Sequence, residues 1–134
     1  MRKDIDIPDV KGVYVAIVPE KIEGELSWYV NLINDNESSL TNVMVSSSGY
    51  LKKQNGEEIR TSVLRHMIAD LPPQSYAKVE SIMEDVFQLN NQFWVSYQMN
   101  GKMYDKKYIF LAESISEDNF SVIPVIGSKG VLIK

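Results

Sequence analysis

The stretch from Gln92 to Ala112, QFWVSYQMNGKMYDKKYIFLA, constrains this chain more than any other. Two runs rich in aromatic and β-branched residues flank Asn100-Gly101, the pair best able to hold the positive φ values of a two-residue type I′ turn. Such a turn sets the register of everything beside it. Met99 must face Lys102, with Tyr97 opposite Tyr104, Val95 opposite Lys106 and Phe93 opposite Tyr108. Side chains alternate along a strand, so Phe93, Val95, Tyr97, Met99, Tyr104, Tyr108 and Phe110 share one face, interrupted by Lys102 and Lys106. The other face is polar near the turn and apolar at its base, where Trp94, Ile109 and Leu111 align. Those three residues are the candidate interface. Either the carboxy-terminal segment covers them or a partner does, and the simplest partner is a second copy, because a two-fold pairing needs one self-complementary patch.

Similar alternation runs along the rest of the chain. Val10 to Val18 is expected as the first strand, closed by Pro19 and a polar turn through Gly24. Leu26 to Asn34 follows, with Leu26, Trp28, Val30 and Leu32 on the core side. Asn42 to Tyr50 places Val43 and Val45 together, and Asn55-Gly56 marks another tight turn. Glu58 to Leu71 is long enough for a helix, but Ile59, Thr61, Val63, Met67, Ala69 and Leu71 fit period two, so it is expected as a strand, continuous or broken by a bulge. Pro72-Pro73 ends it, since neither ring supplies a ladder donor. Tyr76 to Ile82 alternates again, Glu84 to Leu89 is expected as one short helical turn, and Pro124 limits the tail to an edge or irregular strand. About seven to eight short strands with one helical turn give an all-β, antiparallel β-sandwich in a single domain over 1–134.

Composition narrows the function classes. The chain has 134 residues, enough for a core without cross-links, and it has no cysteine, which removes disulfides and thiolate metal sites. A net charge of −4 opposes general nucleic-acid binding, which needs a basic face against the phosphates. Asp4, Asp6 and Pro8 occupy the place where a signal peptide would carry its apolar stretch, and no segment is long and apolar enough for a membrane span, so a cytoplasmic protein is expected.

Two passages resemble immunoglobulin-like sandwiches of the adaptor-appendage kind. In WYVNLINDNESSLTNVMV an alternating strand ends at an Asn, a polar loop follows, and a Leu precedes a Val-x-Val strand; the positions are Val30, Leu32, Asn34, Leu40, Val43 and Val45. ADLPPQSYAKVE is similar to the proline-rich corner of the same sandwiches. The likeness covers about a quarter of the chain and implies architecture alone. Through IDIPDV, LRHMIADLPPQSYAKVE, LNNQFWVSY, MYDKKYIF and GVLIK, the chain also resembles a group of short uncharacterised bacterial proteins. Some of these carry the label phenylalanyl-tRNA synthetase α subunit. A class II synthetase core is much longer and needs a Gly-rich final motif, and the seven glycines here form no such cluster.

The candidate chemistry is sparse. His66, the sole histidine, stands beside Arg65 and near Arg60, a set suited to contacting an anion or ligand or to general-base work. Its parity with Arg60 and Asp70 makes it a solvent-side strand residue, and no nucleophile is tied to it by a motif. Asp35/Glu37, Glu84/Asp85 and Glu117/Asp118 lack the oxygen spacing of a calcium loop and sit in expected turns. Lys102, Lys106 and Lys107 with Tyr97, Tyr104 and Tyr108 offer a stacking platform for single strands, against which the net charge counts. Ser46-Ser47-Ser48-Gly49 lacks the Lys and the helix of a phosphate loop. No catalytic set, cofactor motif or metal site emerges. The leading expectation is therefore a non-catalytic protein-binding or scaffolding sandwich, with self-association as one form of that binding. Its competitor is an enzyme accessory subunit or small-ligand binder with a site near His66, Arg65 and Arg60.

Overall fold

The structure is a computed structural model that describes residues 8–134. Asp4, Asp6 and the start of IDIPDV lie outside the described residues. Strands β1 (Val13–Ile22), β2 (Glu25–Asn34), β6 (Ser75–Ile82), β9 (Ser121–Val122) and β10 (Lys129–Ile133) form one sheet in the order β6-β2-β1-β10-β9. Strands β3 (Leu40–Lys52), β4 (Glu58–Arg60), β7 (Asn90–Met99) and β8 (Lys102–Phe110) form the other in the order β4-β3-β7-β8, and β5 (Leu64–Leu71) also pairs with β3. Every pairing is antiparallel. Taken as A, B and E, strands β1, β2 and β6 share a sheet; β3, β7 and β8 stand as C, F and G in the opposite one, with β5 as C′. This is the immunoglobulin-like sandwich, to which β9 and β10 add an extension beyond A.

The central hairpin has the register that its turn dictates. Asn100 and Gly101 have φ of 51° and 78°, and the four pairs from Met99–Lys102 to Phe93–Tyr108 form as expected. A second two-residue turn, Glu23-Gly24 with φ of 51° and 83°, joins β1 to β2. Pro19 does not close β1. Strand β10 pairs only with Val15 to Ile17, so Pro19 lies beyond that pairing, where a missing N–H costs no bond to it. Glu58 to Leu71 is two strands rather than one, which with β9 and β10 raises the number to ten among the described residues. The expected helical turn is a 3-10 turn over Glu84–Gln88, and a further one spans Glu117–Asn119.

The core lies between the sheets. Val13, Val15 and Ile17 from β1 and Trp28, Val30 and Leu32 from β2 meet Val43, Val45, Phe93, Val95, Tyr97, Tyr108 and Phe110. Trp28 is capped edge-on by Phe87 at 5.1 Å and Phe120 at 6.0 Å. Leu26 has Trp28's parity but is exposed near the beginning of β2, so it is not core as expected. A second apolar cluster forms on the outer side of the first sheet. There Ile123 packs with Ala16, Val18 and Ile33, and Val125 and Ile126 lie against it. Strand β2 is consequently buried on both faces from Val30 to Asn34.

Asn34 fixes one end of the sandwich. Fully buried, it donates from Nδ2 to the carbonyls of Ser38 (2.9 Å), Leu71 (3.1 Å) and Pro72 (2.9 Å), and its Oδ1 accepts from the backbone N–H of Asn36 at 3.1 Å. The β2–β3 loop and the proline corner after β5 are thus tied to one side chain. Nearby, Asn42 has φ 49° and lies in an irregularity of the β3–β7 pairing. Leu40 and Val43, three residues apart, then both point inward, and their β5 partners Leu71 and Ile68 follow them.

Candidate functional site

This bulge reverses the expected parity of His66. Strict period two from Leu71 puts Met67 and Ala69 inside, but the phase slips between Leu71 and Ile68. Met67 is the exposed one, at 71%, and His66, paired with Val45, turns to the inter-sheet side. There Nε2 of His66 lies 2.8 Å from Oε1 of Glu80. An ionised carboxylate only accepts, so Nε2 carries the hydrogen in this contact. Ser47 Oγ donates to the same oxygen at 2.8 Å. The solvent-side expectation for His66 is therefore corrected: the imidazole links β5 of one sheet to β6 of the other through a carboxylate.

Glu80 was not singled out from the sequence, and no local signal marks it. Alternation in YAKVESI puts Ala77 and Val79 on one face and Glu80 on the other. The β2–β6 register shifts between Val30 and Asn31, so that Val30 pairs with Glu80 and Asn31 with Lys78. Val79 takes up the extra residue, and the side chain of Glu80 is left 13% exposed. Ser47, Glu80 and His66 do not form a hydrolytic triad, because Ser47 and His66 both bond the carboxylate and not each other.

Beside this group lies a cleft of about 360 Å³. Ser47 and Ser48 of β3, Thr61, Ser62 and Leu64 of the β4–β5 corner, Glu80 to Ile82 of β6, Asp85 of the 3-10 turn and Phe93 contribute to its lining. Its walls are tied down. The Gly49 N–H donates to Thr61 Oγ1 at 2.8 Å, holding the corner against β3, and Asn91 Nδ2 donates to the carbonyls of Val86 and Leu89 at 3.0 and 3.1 Å, holding the turn.

The expected basic set is not assembled. Arg60 pairs with Glu58 and lies over the Tyr50 ring, 5.8 Å from its centroid. Arg65, paired with Ser46, has the opposite parity to His66 on β5. The stacking platform is not formed either. Tyr97 and Tyr108 are buried, with burial pushing both phenols well above their ordinary range, and Tyr97 stacks on Tyr104 at 5.0 Å. Among the described residues no three His, Asp or Glu side chains are grouped to hold a metal ion, and no helix is long and apolar enough to cross a membrane.

Trp94 and Leu111 are 47% and 65% exposed, and Ile109 is half-buried. The carboxy-terminal tail does not cover them, because β10 pairs with β1 in the other sheet. Trp94 lies between Ser46 and Lys107, whose Nζ is 4.9 Å from its ring centroid, and Met44 on β3 pairs with Met67 on β5. With Met103, these residues put three methionines and a tryptophan on the outer face of β5-β3-β7-β8, among polar neighbours that include Ser46, Ser96, Asp105 and Lys107.

Compared with known proteins, the chain matches no family, and no curated protein matches it.

Proposed function

We propose that this chain is a cytoplasmic, non-catalytic binding module of the short bacterial sandwich group it resembles, and that it docks through the outer face of β5-β3-β7-β8. One observation carries this reading: Trp94, Met44, Met67 and Met103 are all large, apolar and exposed on the outer side of one sheet, with Leu111 exposed just past the end of β8. A patch of this kind commonly marks an interface, and a tryptophan among flexible thioethers suits a surface that must fit another protein. The occupant is a second copy related by a two-fold axis, which brings each Trp94 toward its equivalent patch. The non-catalytic part is supported by Ser47, whose hydroxyl is bonded to Glu80 and not to the imidazole that would activate it.

Sedimentation and light scattering across a concentration series test the proposal. Wild type is expected to dimerise, and Trp94→Glu and Met67→Glu to give folded monomers. Their melts should change little, because both side chains already meet solvent in the single chain. A wild-type protein that stays monomeric at the highest soluble concentration defeats the self-association.

A further inference from the structure

We propose that the cleft beside Glu80 is a binding site for a protonated amine carried on an apolar stem. The first support is charge. Glu80 and Asp85 line the cleft, and neither Lys nor Arg does, in a chain whose net charge is already −4. The second is the state of Glu80. Its side chain is largely buried, yet both of its hydrogen bonds, from Ser47 and His66, land on Oε1, and among the described residues no donor is bonded to Oε2. With Oε1 already taken by two donors, Oε2 is the acceptor left open to a further one, and a carboxylate favours a donor that brings positive charge. The third is the rest of the lining. Leu64, Met83 and Phe93 offer apolar contact for a stem. At about 360 Å³ the cleft falls within the range of small-ligand pockets, and the Asn91 and Thr61 ties keep its walls in place without a ligand.

The ammonium sits at Glu80 Oε2 with Asp85 adding long-range attraction, while the stem lies along Phe93 and Leu64. An anion is opposed by both carboxylates, and a neutral alcohol of the same length loses the charge-assisted bond. The amine comes either from a small organic cation or from a lysine side chain on another protein. This site is independent of the outer sheet face, so it stands or falls separately from self-association.

The test is a titration of isotope-labelled protein with hexylamine, hexanol and hexanoate, read by amide chemical shifts. Hexylamine should give saturable shifts around Ser48, Ser81 and Met83 at millimolar concentration, with hexanol weaker and hexanoate weakest. Glu80→Gln should weaken hexylamine binding by roughly tenfold or more, as expected for loss of a charged hydrogen bond. Because Glu80 also links the sheets, Asp85→Asn is the second variant; it leaves that link intact and should weaken binding by a smaller factor. Tighter binding of an N-acetyl-lysine amide than of hexylamine identifies the peptide source, and the reverse identifies the small cation. No saturable shift with hexylamine, hexanol binding as well as the amine, or both variants binding like wild type overturns the proposal.

Discussion

Asn34 Nδ2 lies 2.9 Å from the carbonyl oxygen of Pro72, across 38 residues of chain. The same amide reaches Leu71 and Ser38, so one buried side chain satisfies carbonyls from two loops. Asn34→Ala leaves these acceptors without their partner, and a buried acceptor left unpaired costs about 1–3 kcal/mol. Urea melts should show a loss in that range, and Asn34→Asp, which turns an acceptor toward the carbonyls, should lose more. Wild-type stability in both variants would mean that water replaces the amide at no cost.

His66→Ala removes the donor that joins β5 to Glu80. The expected loss is about 1–2 kcal/mol, because the carboxylate is largely buried and keeps only Ser47. Arg65→Ala, at the next position and facing the other way, should stay within about 0.5 kcal/mol. Equal effects in chemical denaturation would return His66 to a surface role.

Alkaline pH should weaken the fold through two phenols. Burial, with Tyr104 adding to it, raises Tyr97, and burial raises Tyr108, whose hydroxyl donates to the Val13 carbonyl at 2.6 Å. Both therefore keep their protons in the folded chain at pH values where the unfolded chain, with its ordinary value of 10.0, has begun to lose them. The unfolded state then binds fewer protons, and stability falls as pH rises above 10 while remaining at its full value below. Of the seven tyrosines, these two should resist ionisation in an absorbance titration until the protein unfolds. Seven phenols titrating together in a folded protein would contradict this.

Gly130 is required by a backbone approach. A Cβ there would lie 2.6 Å from the carbonyl oxygen of Ile17 on the neighbouring strand, an atom held in the sheet. Gly130→Ala should cost roughly 1–3 kcal/mol, the range for forcing an extra carbon into a packed site. Thermal melts check it, and an unchanged midpoint would show that β10 shifts freely against β1.

Local chemistry determined a good part of this architecture. Asn100-Gly101 and Glu23-Gly24 are turns by virtue of their own backbone preferences, and the Met99–Lys102 register and the buried face of Phe93, Val95, Tyr97 and Tyr108 follow from a two-residue loop. Alternation in Leu26 to Asn34 and in Asn42 to Tyr50 placed Trp28, Val30, Val43 and Val45 in the core. The candidate site was not legible in the same way. Glu80 and His66 come together because the strand pairings are irregular around Asn42 and Val79, and each irregularity shifts the phase of every residue beyond it. Such a shift is set by the neighbouring strand, β7 in one case and β2 in the other, so it leaves no mark on the segment that it turns over. The destination of the tail was likewise a tertiary matter. Phe120 to Ile133 is apolar enough to cover either sheet, and only its pairing with β1 decided that Ile123 would seal the first sheet and leave Trp94 in solvent.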